Sequence, residues 1–268
     1  MAAQTKRTIQ MNYWTQLSIE YAAQKSYLDD LFRVYPTIPE GIREIDNKKW
    51  DSVTHSFKSK SNVSLIKDLL SFEHFPLKDS YVAYLKRDAS AIDRNPQTIN
   101  RLCGRLYEMG LDEIYSKCSE PKETNRQIGP MFKEWIKRGS LGIKPVDMNT
   151  FISSDENAIL AATDSQMQQF AKEKLSYTRN KGLDFLARFN GKYVIGEAKF
   201  LTDFGGHQNA QLEDALLTLN TQCSATVVAI LDGVCYIEGR NKMYNTIVSQ
   251  DNKYILSALV LREFLYHI

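Results

Sequence analysis

The sequence predicts an α/β fold, a mixed central β-sheet flanked by helices, with a mainly helical N-terminal region. Three observations predict it. Apolar residues recur at helical spacing through roughly the first 120 residues. Asn190-Gly191 separates two apolar runs, 183–189 and 192–200, as a two-residue hairpin turn requires. Residues 225–232 (ATVVAILD) form the continuous β-branched run of a buried strand.

The elements follow in order. Stretches 15–34, 62–72 and 96–109 read as helices. The last starts at Asn95-Pro96, because proline's fixed φ and missing N–H suit the first helical turn. Polar residues 118–125, with Pro121, mark a junction between a helical region (1–120) and a second domain (121–268). Residues 126–138 read as a helix whose Phe132, Trp135 and Ile136 face the core. Beyond the hairpin, 207–220 reads as a helix, 225–232 as a strand, 233–238 as a short strand and 253–267 as an amphipathic helix.

Composition narrows the function classes. With 43% hydrophobic and 25% charged residues, the chain is ordinary for a folded protein. No run approaches the ~20 apolar residues of a membrane span, and the first residues carry no apolar signal core. Cys103, Cys118, Cys223 and Cys235 form no CxxC pair, and the histidines lack ligand spacing. The expectation is a cytoplasmic protein without a membrane partner. A net charge of +2 does not by itself indicate a nucleic-acid partner, so basic residues would have to cluster on one face.

The chemistry concentrates in residues 182–200 (GLDFLARFNGKYVIGEAKF). A two-residue turn at Asn190-Gly191 pairs Phe189 with Lys192, and counting outward sets Asp184 opposite Glu197. Lys199, two residues on, points to the same side as Glu197. Two opposed carboxylates repel each other, unless a divalent cation lies between them. Oxygen ligands of this kind suit Mg²⁺. An adjacent lysine can then stabilise charge on a phosphate. Similar triplets at Asp46-Asn47-Lys48, Glu120-Pro121-Lys122 and Asp251-Asn252-Lys253 lie in polar contexts without a partner strand. The alternative reading is a structural hairpin in which Lys199 neutralises two acids.

Asp184, twelve residues, then Glu197-Ala198-Lys199 resembles the signature of the PD-(D/E)xK nuclease superfamily, and the setting resembles its type II restriction endonucleases. Leu183 stands where the signature has proline. The resemblance covers roughly residues 126–235. It implies that Asp184, Glu197 and Lys199 are catalytic. Mg²⁺ would be held by Asp184, Glu197, the backbone carbonyl of Ala198 and, as a candidate on the preceding helix, Glu134. The alternative for Glu134 is a solvated acid paired with Lys137 or Arg138. The implied reaction is hydrolysis of double-stranded DNA to 5′-phosphate ends by a homodimer, with a cognate methyltransferase protecting the host's DNA.

Candidate DNA contacts follow the hairpin. Gly205 and Gly206 allow close backbone approach and lead into a helix N-terminus, a phosphate-binding element. His207, Gln208, Asn209 and Gln211 follow as possible contacts to bases or phosphates. In the N-terminal region, Arg101 and Arg105 share a helix face, with Arg94 just before it. Their alternative is a solvated basic face, and Tyr81 and Tyr84 read as packing residues. Two further functions stay open: a structure-specific or repair nuclease on the same core, and a non-catalytic DNA-binding module.

Overall fold

The computed structural model describes residues 10–36, 44–120 and 124–268. The chain divides into two compact units, one formed by Met1–Thr37 with Thr124–Ile268 and the other by Ile38–Glu123. Part of the expected junction, residues 121–123, lies outside the described residues. The division differs from a simple cut near residue 120. Helices α1 (Tyr13–Ala22) and α2 (Tyr27–Val34) belong with the C-terminal portion. The physical reason is their apolar faces: Tyr27, Leu31 and Val34 of α2 are buried in that unit's main core, and Trp14, Ile19, Tyr21 and Ala22 of α1 pack against it.

The Ile38–Glu123 unit is helical: α3 (Asn47–Lys58), α4 (Asn62–Leu70), α5 (Ser80–Arg87), α6 (Ala91–Arg94) and α7 (Pro96–Cys118). Leu65, Ile66, Leu69, Ile99, Leu102 and Leu106 fill its core at helical spacing. Helix α7 runs past the expected end, with a break in which Gly110 takes φ 79°.

The other unit continues with α8 (Thr124–Lys137), α9 (Met148–Ser153), β1 (Ala158–Ile159), α10 (Asp164–Leu175), β2 (Phe185–Phe189) and β3 (Lys192–Leu201). Then come α11 (Gly206–Leu219), β4 (Thr226–Gly233), α12 (Lys242–Val248), β5 (Tyr254–Leu256) and α13 (Ala258–His267). The five strands lie in chain order; β1, β2 and β3 pair antiparallel, and β3, β4 and β5 parallel. This is a mixed sheet with helices on both faces. Phe185, Ala187 and Val194 face a core shared with α8, α11 and α13. Leu186 and Ile195 face the opposite core, with Phe151 of α9 and Phe170 of α10.

Three expectations change. The stretch 15–34 is two helices, because Ser26 adopts φ 71° between them. Residues 234–236 form a 3₁₀ turn instead of a strand. The closing helix is preceded by β5: Ser257 caps α13 by accepting the Leu259 N–H, so Tyr254–Leu256 stays extended and joins the sheet.

Candidate active site

The hairpin has the register that its turn dictates. Asn190 and Gly191 take φ of 50° and 73°, and Phe189 pairs with Lys192 through to Phe185 with Gly196. The ladder stops there. Asp184 stands just ahead of β2, and its N–H donates to the Gly196 carbonyl at 3.1 Å. Its side chain turns across to β3, where Oδ2 accepts the Ala198 N–H at 3.0 Å. Lys199 Nζ lies 3.9 Å from Asp184 Oδ2 and 2.5 Å from Glu197 Oε1. The three residues expected to act together are therefore brought together.

The environment of the carboxylates is unequal. Glu197 has a side chain only 3% exposed, and its Oε1 accepts from both Lys199 and Lys181, the latter at 2.6 Å. Its Oε2 is buried without a hydrogen-bond partner among the described residues. A buried carboxylate oxygen in that state carries a desolvation cost of kcal/mol order. Burial and the neighbouring Glu197 push the Asp184 carboxyl up to about 6, against the opposing effect of Lys199. An oxygen without a donor, an acid held back from ionising and two ammoniums beside them form a site suited to a hard divalent cation and an anionic substrate. The N–H and C=O of one strand residue point to the same edge. With its N–H on Asp184, Ala198 thus directs its carbonyl towards the same edge as that acid.

Glu134 is not brought into this cluster. It is exposed on α8, with Arg138 Nε 3.6 Å from its carboxylate. Its neighbour Lys133 points the other way and is ion-paired with Asp164 at the start of α10. Phe132 and Ile136 are buried in the core, and Trp135 packs against it. Beside Asp184 lies a cleft of about 400 Å³ lined by Lys133, Lys137, Thr163, Gln166 and Met167 among others.

Residues absent from the sequence reading complete the surroundings. Lys181 is ion-paired with Asp214 of α11 as well as with Glu197, and Asp214 also takes the Arg179 guanidinium at 3.2 Å. The loop carrying Lys181 is pressed onto α10 at Gly182, where a Cβ would come within 2.7 Å of the Asp164 Cβ. A lysine immediately before Gly-Leu-Asp can be seen in the sequence, but its pairing with α11 cannot.

The candidate DNA contacts separate into groups. Gly205 and Gly206 open α11 without a side-chain cap. His207 is exposed, 3.0 Å from Gln211. Gln208 instead turns inward: it is 4% exposed and bonded to the Thr202 N–H and hydroxyl. Asn209 bonds back to the Phe204 and Gly205 carbonyls. In the helical unit, Arg94 pairs with Asp88 and Arg101 with Asp79, each at 2.7 Å, while Arg105 is exposed. Tyr81 and Tyr84 are exposed rather than packed, and Arg101 lies over the Tyr81 ring.

Among the described residues, no helix is long and apolar enough to cross a membrane. No curated protein and no solved structure matches the chain significantly. The family model for the Tsp45I type II restriction enzyme matches residues 12–268, both units included. A match over nearly the whole length, on a chain whose hairpin gathers two carboxylates and two lysines, gives it a family: the chain belongs to the Tsp45I type II restriction enzyme family.

Proposed function

We propose that this restriction enzyme is a Mg²⁺-dependent endonuclease that cuts double-stranded DNA at a specific sequence and leaves 5′-phosphate ends. The observation that carries the reading is the division of labour in Glu197. Its Oε1 is held by two ammoniums, while Oε2 is buried with no donor among the described residues. Asp184, Glu197 Oε2 and the Ala198 carbonyl would hold the cation. When bound, it supplies Lewis-acid stabilisation of charge on the phosphate. Lys199 places an ammonium beside both carboxylates, where it orients the attacking water and offsets charge that builds on the phosphate oxygens. Asp184 must be ionised to act as a ligand, and Lys199 favours that state.

DNA would be held by the first turn of α11, through its backbone N–H groups and His207 and Gln211. Arg94, Arg101 and Arg105 would contact it from the helical unit. Cutting both strands of a symmetric sequence suits a homodimer, and a host methyltransferase would protect its own copies of that sequence.

The test is a digest of methylation-free phage DNA with Mg²⁺, beside an EDTA control and Lys199→Ala. Discrete fragments from the wild type alone are expected. A smear or junction-restricted cutting would point to a structure-specific nuclease, and no cutting on several DNAs to a binding module.

A further inference from the structure

Lys181 is held at both ends of its charge. Its Nζ is 2.6 Å from Glu197 Oε1 and is also ion-paired with Asp214 Oδ2. Asp214 is itself fixed: Arg179 donates to its carboxylate and to its backbone carbonyl, each at 3.2 Å, and also to the Thr218 hydroxyl one turn further along α11. An Arg179–Asp214–Lys181 chain thus runs from α11 to the buried carboxylate of β3. Lys199 shares the same oxygen, and neither lysine reaches Oε2.

We propose that Lys181 is a positioning residue of this active site. Anchored by Asp214, it fixes the rotation of the Glu197 carboxylate so that Oε1 faces the two ammoniums and Oε2 faces the cation site beside Asp184. A lone Lys199, two residues along the same strand, would leave that carboxylate free to turn about its last bond. A misplaced ligand atom costs rate and not affinity, because alignment is required in the transition state. The inference rests on the nuclease reading above. Glu197→Gln is therefore the control: if it cuts like the wild type, that reading fails and not this one alone.

The experiment measures steady-state cleavage at saturating Mg²⁺, and Mn²⁺ binding by calorimetry, for Lys181→Met, Lys181→Arg and Asp214→Asn. Lys181→Met is expected to lower kcat about 10- to 100-fold with KM for DNA within about twofold. Its Mn²⁺ affinity should be no weaker than the wild type's, since a positive charge has left the vicinity of the carboxylates. Lys181→Arg, which keeps the charge, should recover most of kcat. Asp214→Asn preserves the side chain's shape should Lys181→Met fail to fold, and its expected loss in kcat is about 3- to 10-fold. A kcat within twofold of the wild type in both Lys181→Met and Asp214→Asn would overturn the proposal. So would a loss confined to KM, or Mn²⁺ binding abolished in Lys181→Met as in Glu197→Gln.

Discussion

The carboxylate of Asp184 accepts the backbone N–H of Ala198 at 3.0 Å, at the point where the β2–β3 ladder has just ended. One side chain thereby continues the pairing of two strands and sets a carboxylate oxygen 3.9 Å from Lys199 Nζ. These two roles can be separated. Asp184→Asn keeps an acceptor for Ala198 and removes the charge opposing Glu197. Asp184→Ala removes both. Both variants should lose at least about 100-fold in cleavage. Thermal melting without metal should place the alanine variant about 1–2 kcal/mol below the asparagine variant, because only alanine leaves the N–H unpaired. Equal melting of the two would contradict the clasp.

Cation binding should stabilise the fold, because it relieves repulsion between the two acids. Addition of Mg²⁺ or Ca²⁺ is expected to raise the melting temperature, and chelation to reverse the gain. The gain should shrink as pH falls through about 6, where Asp184 takes up a proton. Glu197→Gln should show no gain at any pH.

A second buried acid makes a different pH prediction. Asp232 accepts from Tyr35, Ser257 and the Ala258 N–H, yet burial still raises it to about 7. The unfolded carboxyl titrates near 3.9. Between those values the folded state binds more protons, so stability falls as pH rises from about 4 to about 7. The full difference is on the order of 4 kcal/mol. Asp232→Asn can keep all three partners without ionising. Urea unfolding at a series of pH values should show the decline in the wild type and a flatter profile in the variant.

Two neighbours on α11 should behave oppositely. Gln208→Ala removes the side chain that pins Thr202, and should lower stability by about 1 kcal/mol. His207→Ala should leave melting unchanged and weaken DNA binding about 3- to 10-fold. Fluorescence anisotropy in Ca²⁺, paired with melting curves, distinguishes them.

In the helical unit, Arg105 and Arg94 provide a further comparison. Arg94 is engaged by Asp88 and Ser90, whereas Arg105 stands exposed on the α7 face. Arg105→Ala should therefore weaken DNA binding more than Arg94→Ala, and should reduce the salt dependence by about one phosphate contact. Similar effects of the two substitutions would place the contact elsewhere.

How far the sequence could be read depended on how local the determining forces were. The hairpin register followed from Asn190 and Gly191 alone, since a two-residue turn with positive φ leaves one pairing open. The buried strand β4 was evident from its β-branched run. The short strand β5 was not, because three residues carry no period and its pairing comes from β4. Lys181 and Asp164 are not legible in the sequence, because their meaning depends on contacts with α11 and α8. The inward turn of Gln208 is hidden for a related reason: amide side chains near a helix start look alike in sequence, whether they face solvent or the loop behind them. Glu134 and Lys133 are adjacent on α8, and the helix phase that decides which turns inward is set by packing against the sheet.

The helical unit interrupts the other unit in the chain, and this has a consequence for biosynthesis. Thr15 and Ser18 of α1 receive the N–H groups of Ile255 and Ser257, some 240 residues later. Helix α1 is made well before β5 and must wait for that strand before these contacts can form. Val53 to Cys118 find their core partners within their own segment and can fold during that wait. The emerging chain therefore acquires its helical unit while the sheet that closes around α1 is still incomplete.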